Sequence, residues 1–319
     1  MLEGFFAGWP LELLLSPWVL ALLGLAVGSF LNVVVHRLPL MLERQWWGDV
    51  GAQLADAESY QRVFGSDMPE RLTLSSSSLE KSLAELKPLG LARPASRCPA
   101  CGHRIRWFEN IPVLSWLALR GKCSACGTRI GLRYPLVELS TALLFGALGW
   151  TMGPQPLVLL WCAAMAALLA LSLIDWDTTV LPDVLTLPLL WGGIVAAALG
   201  WLPGLSLMQS VAGAAAGYLS LWAVFWLFKL TTGKEGMGYG DFKLLAALGA
   251  WLGATAILPI VLMASVLGAV IGLVMKASGS LRQGRFVPFG PFPGRRRCGR
   301  HPRRAAHGSG LDRLVGTTR

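Results

Sequence analysis

Runs of about 20 apolar residues, the length that crosses roughly 30 Å of hydrocarbon, recur along most of this chain. They leave one broad class open. Of its 319 residues 54% are hydrophobic and only 14% charged, where soluble domains carry about a quarter. Mean hydropathy is +0.55. The expected fold is an all-α polytopic membrane protein.

The first span covers about Leu11–Val35 and stops at His36-Arg37. Residues 1–10 lack the basic region of a cleavable signal, so this span is expected to be retained. Residues 38–134 are polar and mixed in charge, and form a loop outside the bilayer. Span two runs from about Pro135 to Met152. The short Gly153-Pro154-Gln155-Pro156 turn implies an antiparallel return in span three, Leu157–Ile174. Span four lies near Pro182–Trp201 and span five near Leu207–Leu230. Phe242 to Met275 as one helix would be about 51 Å long, too long for one crossing. Pro259 and nearby glycines mark the expected break into spans six and seven. The reading is therefore about seven transmembrane helices. Its domains are a first helix (1–35), a loop domain (36–134), a membrane core (135–276) and a basic, disordered tail (277–319).

Charge fixes the orientation. Residues 36–134 hold fourteen of the 28 Lys+Arg, and residues 282–319 hold ten more against one acid, Asp312. In a polytopic protein such residues report which loops stay in the cytoplasm. With the 36–134 loop inside, Asp175 at the end of span three and Asp241 at the start of span six fall at the cytoplasmic surface. Lys229, Lys234, Lys243, Lys276 and the arginine-rich tail fall there too.

Those two aspartates demand an account, because carboxylates at a bilayer rim are costly. Asp241 follows three alternating glycines, Gly236, Gly238 and Gly240, and reads equally well as a helix N-terminal acid suited to the dipole. Asp175 ends a helix, where the backbone field opposes a negative charge. The glycines would let backbone approach closely and leave room for an extended peptide. Asp183 reads as a first-turn acid after Pro182, and Asp177 as a solvated interfacial charge. If Asp175 and Asp241 meet, they can hold a water between them and share one proton, since two carboxylates so close cannot both ionise.

Cys98-Pro99-Ala100-Cys101 and Cys123-Ser124-Ala125-Cys126 are two C-x-x-C knuckles, each followed by glycine. Their 21-residue spacer is slightly longer than the usual zinc pattern. In a reducing cytoplasm disulfides are disfavoured. Four thiolates around a structural Zn²⁺ are expected, with free or redox-active thiols as the alternative. Cys162, Cys298, His36 and His103 carry no metal role. Trp9, Trp46, Trp47 and Trp201 read as interfacial anchors.

These features together resemble the type IV prepilin peptidases, the leader peptidase/N-methyltransferases of type IV pili and type II secretion. The matching stretches are Gly28-Ser29-Phe30-Leu31-Asn32 with Arg37-Leu38-Pro39, the knuckles around Glu109-Asn110-Ile111-Pro112, Ile174-Asp175-Trp176-Asp177 with Leu181-Pro182-Asp183, and Gly238-Tyr239-Gly240-Asp241-Phe242-Lys243. The last is the G-x-G-D signature of intramembrane aspartic proteases. The resemblance implies that Asp175 and Asp241 are catalytic and that Cys98, Cys101, Cys123 and Cys126 bind zinc. It implies cleavage of a basic leader from prepilins and pseudopilins at the cytoplasmic face of the bacterial inner membrane. It also implies methylation of the new N-terminus by S-adenosylmethionine, with Glu109–Lys122 as the region expected to serve that step. No glycine-rich nucleotide fingerprint supports the methyl transfer independently.

After Val287-Pro288-Phe289-Gly290-Pro291 the family continues into a final apolar helix. This chain instead reads Phe292-Pro293-Gly294-Arg295-Arg296-Arg297, and a shifted reading frame that replaced the eighth span is the expectation. A transporter or channel using the acids for cations or protons is the alternative function. Against it, both acids sit at one face and no inverted repeat is evident. A nucleic-acid role for the cysteine loop is not expected, because nine acids lie between residues 36 and 134 and aromatics are not interleaved with the basic residues.

Overall fold

The computed structural model describes residues 11–277; the readings of residues 1–10 and of the basic tail, with its shifted frame, lie outside them. Among the described residues the secondary structure is helical, with two isolated bridges, Arg97 with Arg104 and Lys122 with Arg129.

A short α1 (Leu11–Leu14) leads into α2 (Pro17–Ala55). Ser16 starts α2 by accepting the Val19 N–H, and Pro17 occupies the first turn, where its missing donor is harmless. At 39 residues, α2 is about 58 Å long, nearly twice the hydrocarbon thickness. It runs on without a break at residue 35 because its outer half has a partner. The α3 (Ala57–Phe64) turn folds back into α4 (Glu70–Ala84), where buried Ser76 donates to the Gly51 carbonyl at 2.8 Å. The cysteine segment follows, containing the one-turn α5 (Leu114–Ala118). Next come α6 (Arg133–Met152), α7 (Leu157–Thr178), α8 (Asp183–Ala198), α9 (Leu207–Thr232), α10 (Tyr239–Leu252) and α11 (Ile257–Ala277).

All seven expected segments are helical. Four of them, α2, α6, α7 and α9, are long and apolar enough to cross a membrane, as is the Ala254–Val274 stretch that holds most of α11. The other two, α8 and α10, have 16 and 14 residues. Half of α10 is buried, with Phe242, Ala247 and Ala250 inaccessible, so protein rather than lipid sets its length. The break between the last two helices falls at Gly253, not at Pro259. Gly253 adopts φ +80° while its N–H caps the Gly249 carbonyl, a conformation open to glycine. Pro259 sits in the first turn of α11, where no donor is required.

Close helix pairs form where glycine removes a side chain. A Cβ on Gly24 or Gly28 of α2 would lie 2.7 Å from the Ala142 or Glu138 Cα of α6. Gly213 and Gly217 of α9 likewise lie on the backbone of α10, a Cβ on Gly217 meeting the Leu245 carbonyl at 2.5 Å. Small residues four apart are the usual device for close helix packing in lipid. Leu171 of α7, Leu189 and Ala196 of α8 and Ala247 of α10 share one buried cluster. The helices alternate in direction. The end of α7 and the start of α10 therefore lie at the same end of the bundle as the cysteine loop.

Candidate active site and metal centre

At that end, the last turn of α7 is anchored by Ile174, which is buried against Val34, Val35 and Leu38 of α2. The helix stops where Thr179 turns left-handed and its N–H caps the Asp175 carbonyl at 2.8 Å. Asp177, read as a solvated charge, instead pairs with Arg133 at the start of α6 at 2.7 Å. This ion pair ties the ends of α6 and α7 together on the loop side.

The start of α10 is built from its glycines, though not as expected. Gly240 has no side chain because Leu181, in the α7–α8 connection, fills that space; an added Cβ would meet the Leu181 Cβ at 2.8 Å. Gly236 lies equally close to the Phe228 ring. At these two positions the chain's own side chains occupy the room expected for an extended peptide. Gly238 is the N-cap of α10, and its carbonyl accepts the Asp241 N–H three residues on at 3.3 Å. Helix-start chemistry therefore contributes to Asp241. Beneath it Phe225, Tyr239 and Phe242 form an aromatic layer with centroids 5.4–5.7 Å apart. Lys243 binds both oxygens of Asp183 at 2.7 and 2.8 Å. Asp183, read as a first-turn acid, thus clamps the start of α8 to the start of α10.

Asp175 and Asp241 come from different helices, are both half-buried, and interact electrostatically with each other.

The four paired cysteines also converge. Their sulfurs all lie within 4.8 Å of one another, with Cys98 and Cys126 3.8 Å apart and Cys101 and Cys123 4.0 Å apart. Tetrahedral Zn–S bonds of about 2.3 Å place sulfurs about 3.8 Å apart, so the spacing fits four-coordination. The two knuckles repeat each other. Gly102 and Gly127, both left-handed, donate to the Cys98 and Cys123 carbonyls, while the Cys98 and Cys123 N–H groups bond His103 and Thr128. Backbone N–H groups of Cys101 and Ala100 lower the Cys98 thiol, and the Thr128 hydroxyl and N–H bring Cys126 down to about 6. At Cys101 the His103 N–H acts the same way, but the neighbouring Cys126 thiol and burial outweigh it and push the group up to about 12. The cluster can hold a metal ion. Glu109, within the segment expected to serve methyl transfer, is held down at about 2 by the Arg106 N–H, then by Ser124 and His103. Cys162 stays apart, buried in α7.

One acid was not singled out from the sequence. Glu138 in α6 is buried, accepts the Val113 N–H at 2.8 Å, and packs its backbone on Gly28 of α2. An acid inside an apolar span was the available signal.

The family described as Bacterial Peptidase A24 N-terminal domain matches residues 22–152. The family described as Type IV leader peptidase family matches residues 162–273. A prepilin leader peptidase/N-methyltransferase of Pseudomonas aeruginosa is 49% identical over 294 residues, 90% of this chain and 89% of that protein. The protein of that name in Pseudomonas putida is 50% identical over 85% of this chain and 84% of its own length. In Aeromonas hydrophila the figures are 46%, 86% and 88%. No solved structure matches the chain. Identity of this extent, spanning both the cysteine loop and the helices that carry the aspartates, shows that the chain belongs to the type IV leader peptidase family of membrane enzymes.

Proposed function

We propose that this chain is an aspartic endopeptidase that removes the basic leader from type IV prepilins and type II secretion pseudopilins at the cytoplasmic face of the bacterial inner membrane, then methylates the new N-terminus. The relatives' names support prepilin processing. The observation that supports the aspartic mechanism is that Asp175 and Asp241, from different helices, come to the loop end of the bundle and feel each other's charge.

In this mechanism the pair holds the attacking water. One carboxylate, ionised, takes a proton from the water as it adds to the scissile carbonyl. The other, protonated, donates a hydrogen bond to the carbonyl oxygen and stabilises the developing charge. The single proton belongs to the pair. Lys243 with Asp183 and Arg133 with Asp177 act as positioning pairs that hold the ends of α10 and α7 in place. Basic residues in the 36–134 loop favour its retention in the cytoplasm.

For the cysteine cluster the reading is structural zinc, held by Cys98, Cys101, Cys123 and Cys126. Bound there, the ion would cross-link a segment with few other constraints and stabilise its fold. S-adenosylmethionine is the methyl donor that the resemblance implies.

Intact mass of a co-expressed prepilin tests the reading, since leader removal and methylation each change it by a distinct amount. Loss of the leader with the wild-type chain, and an unprocessed prepilin with Asp175→Asn or Asp241→Asn at equal membrane levels, is the expected result. Continued processing by either variant overturns the two-aspartate mechanism.

A further inference from the structure

The cysteine loop is not held clear of the bundle: the segment 111–117 is tied to α6 through Val113. Its position is fixed by Glu138, whose carboxylate accepts the Val113 N–H at 2.8 Å. Glu138 lies five residues inside α6, about 7–8 Å along the helix from its start. Gly28 of α2, whose added Cβ would meet the Glu138 Cα at 2.7 Å, lies eight residues before His36, about 12 Å along that helix. Helical side chains lean toward the helix start, so the Glu138 carboxylate, and Val113 with it, lies close to the loop-side ends of both helices, where the polar boundary of a bilayer would fall.

Non-helical backbone at that depth survives only where its polar groups are satisfied. Val113 takes φ +59°, a sparsely occupied conformation for a β-branched residue. That turn directs its N–H to Glu138 and starts α5. The N–H groups of Leu114, Ser115, Leu117 and Leu119 then bond to carbonyls of the same segment, and Pro112 has no donor to satisfy. Side chains face the other way. Leu114 is 65% exposed, Leu117 58% and Trp107 81%, with Phe108 and Ile111 also open. On and just before α6, Leu132, Leu139 and Leu143 are exposed as well. Arg106, stacked on the Phe108 ring at 5.8 Å, and Arg120 border the 107–117 side chains.

We propose that residues 107–117 form a re-entrant wedge seated in the membrane leaflet on the cysteine-loop side, with an anionic phospholipid leaflet as its partner. Ile111, Leu114 and Leu117 lie in the acyl boundary, Trp107 and Phe108 at headgroup level, and Arg106 and Arg120 against lipid phosphates. Aromatic belts and basic rims are the chemistry of such a boundary. Glu138 is the positioning residue that docks the wedge.

The test uses the full chain, metal loaded, one copy per nanodisc of phosphatidylcholine and phosphatidylglycerol, which removes a second copy as occupant. Tryptophan emission is compared between wild type and Trp107→Phe, with acyl chains brominated near the headgroup or deep in the bilayer. The Trp107-dependent emission should be lost with the shallow bromine and retained with the deep one. A benzophenone side chain at position 117 should cross-link to phospholipid, read as a lipid-mass adduct. Unquenched Trp107 emission with both lipids overturns the wedge. So does an adduct at position 117 only to added prepilin, which would assign the face to substrate. Because both positions are exposed, neither variant depends on core packing.

Discussion

At the level of single residues, the aspartates and the pairs around them carry the sharpest expectations. Replacing Asp175 or Asp241 with asparagine keeps shape but removes the shared proton, and cleavage should fall by about 10²- to 10⁴-fold or more. The Lys243–Asp183 pair is partly exposed, 35% and 52% at its side chains, so its direct contribution is modest. A double-mutant cycle with Lys243→Ala and Asp183→Ala should return a coupling of about 0.2–1 kcal/mol. Exchanging the two charges should recover much of the cleavage rate lost in either single variant; no recovery would remove the pair from the site's positioning. Glu109 is depressed from 4.5 to about 2, so its stabilising contribution is complete above the ordinary carboxylate value and disappears as pH falls through about 2. Hydrogen exchange across residues 103–109 should be faster in Glu109→Gln than in wild type at neutral pH, with the difference shrinking toward pH 2.

Among the elements, α10 is the one whose placement decides the site. It is short, packed against α7 and α8 through Ala247 and Trp251, and brought close to α9 by glycines. Gly217→Leu should drive α9 from α10 and destabilise the bundle by about 1–3 kcal/mol or more, as overpacking does. It should also separate Asp241 from Asp175, so thermal stability and cleavage should fall together, whereas the asparagine variants lose cleavage alone. The seven helical segments, five of them long and apolar enough to cross a membrane, were legible in the sequence because apolar runs of that length have few alternatives. Two element-level readings failed for local reasons. Pro259 was read as a break although a first-turn proline is compatible with a helix. The glycines before Asp241 were read as space for substrate, but spacing alone does not say that Phe228 and Leu181 occupy it.

Over the whole molecule, a membrane bundle and a cysteine loop meet at one face. The loop's four thiols do not share one proton affinity: Cys126 sits near 6 while Cys101 sits near 12. Zinc binding at slightly alkaline pH should therefore release fewer than four protons, as calorimetry in buffers of different ionisation enthalpy would measure. Affinity should fall on acidification throughout the neutral range, and more steeply below about 6, where Cys126 is protonated too, because thiolates are the ligands. Chelation, or Cys98→Ser, should raise hydrogen exchange across residues 97–130 while leaving α7–α10 protected. Equal loosening of the membrane core would show instead that the loop is integral to the bundle.

The sequence by itself determined the class, the approximate spans, the four thiols and the two aspartates at one membrane face, because hydropathy, charge and C-x-x-C spacing are local properties that survive without coordinates. Tertiary structure decided what those residues touch. It paired Asp183 with Lys243 and Asp177 with Arg133, and ran α2 past residue 35 onto α4. It also buried Glu138 under Val113. Each of these contacts joins side chains or backbone groups far apart in the chain. Whether a polar group in an apolar setting meets water or a partner depends on which helices become neighbours, and neighbourhood is settled only when the bundle packs.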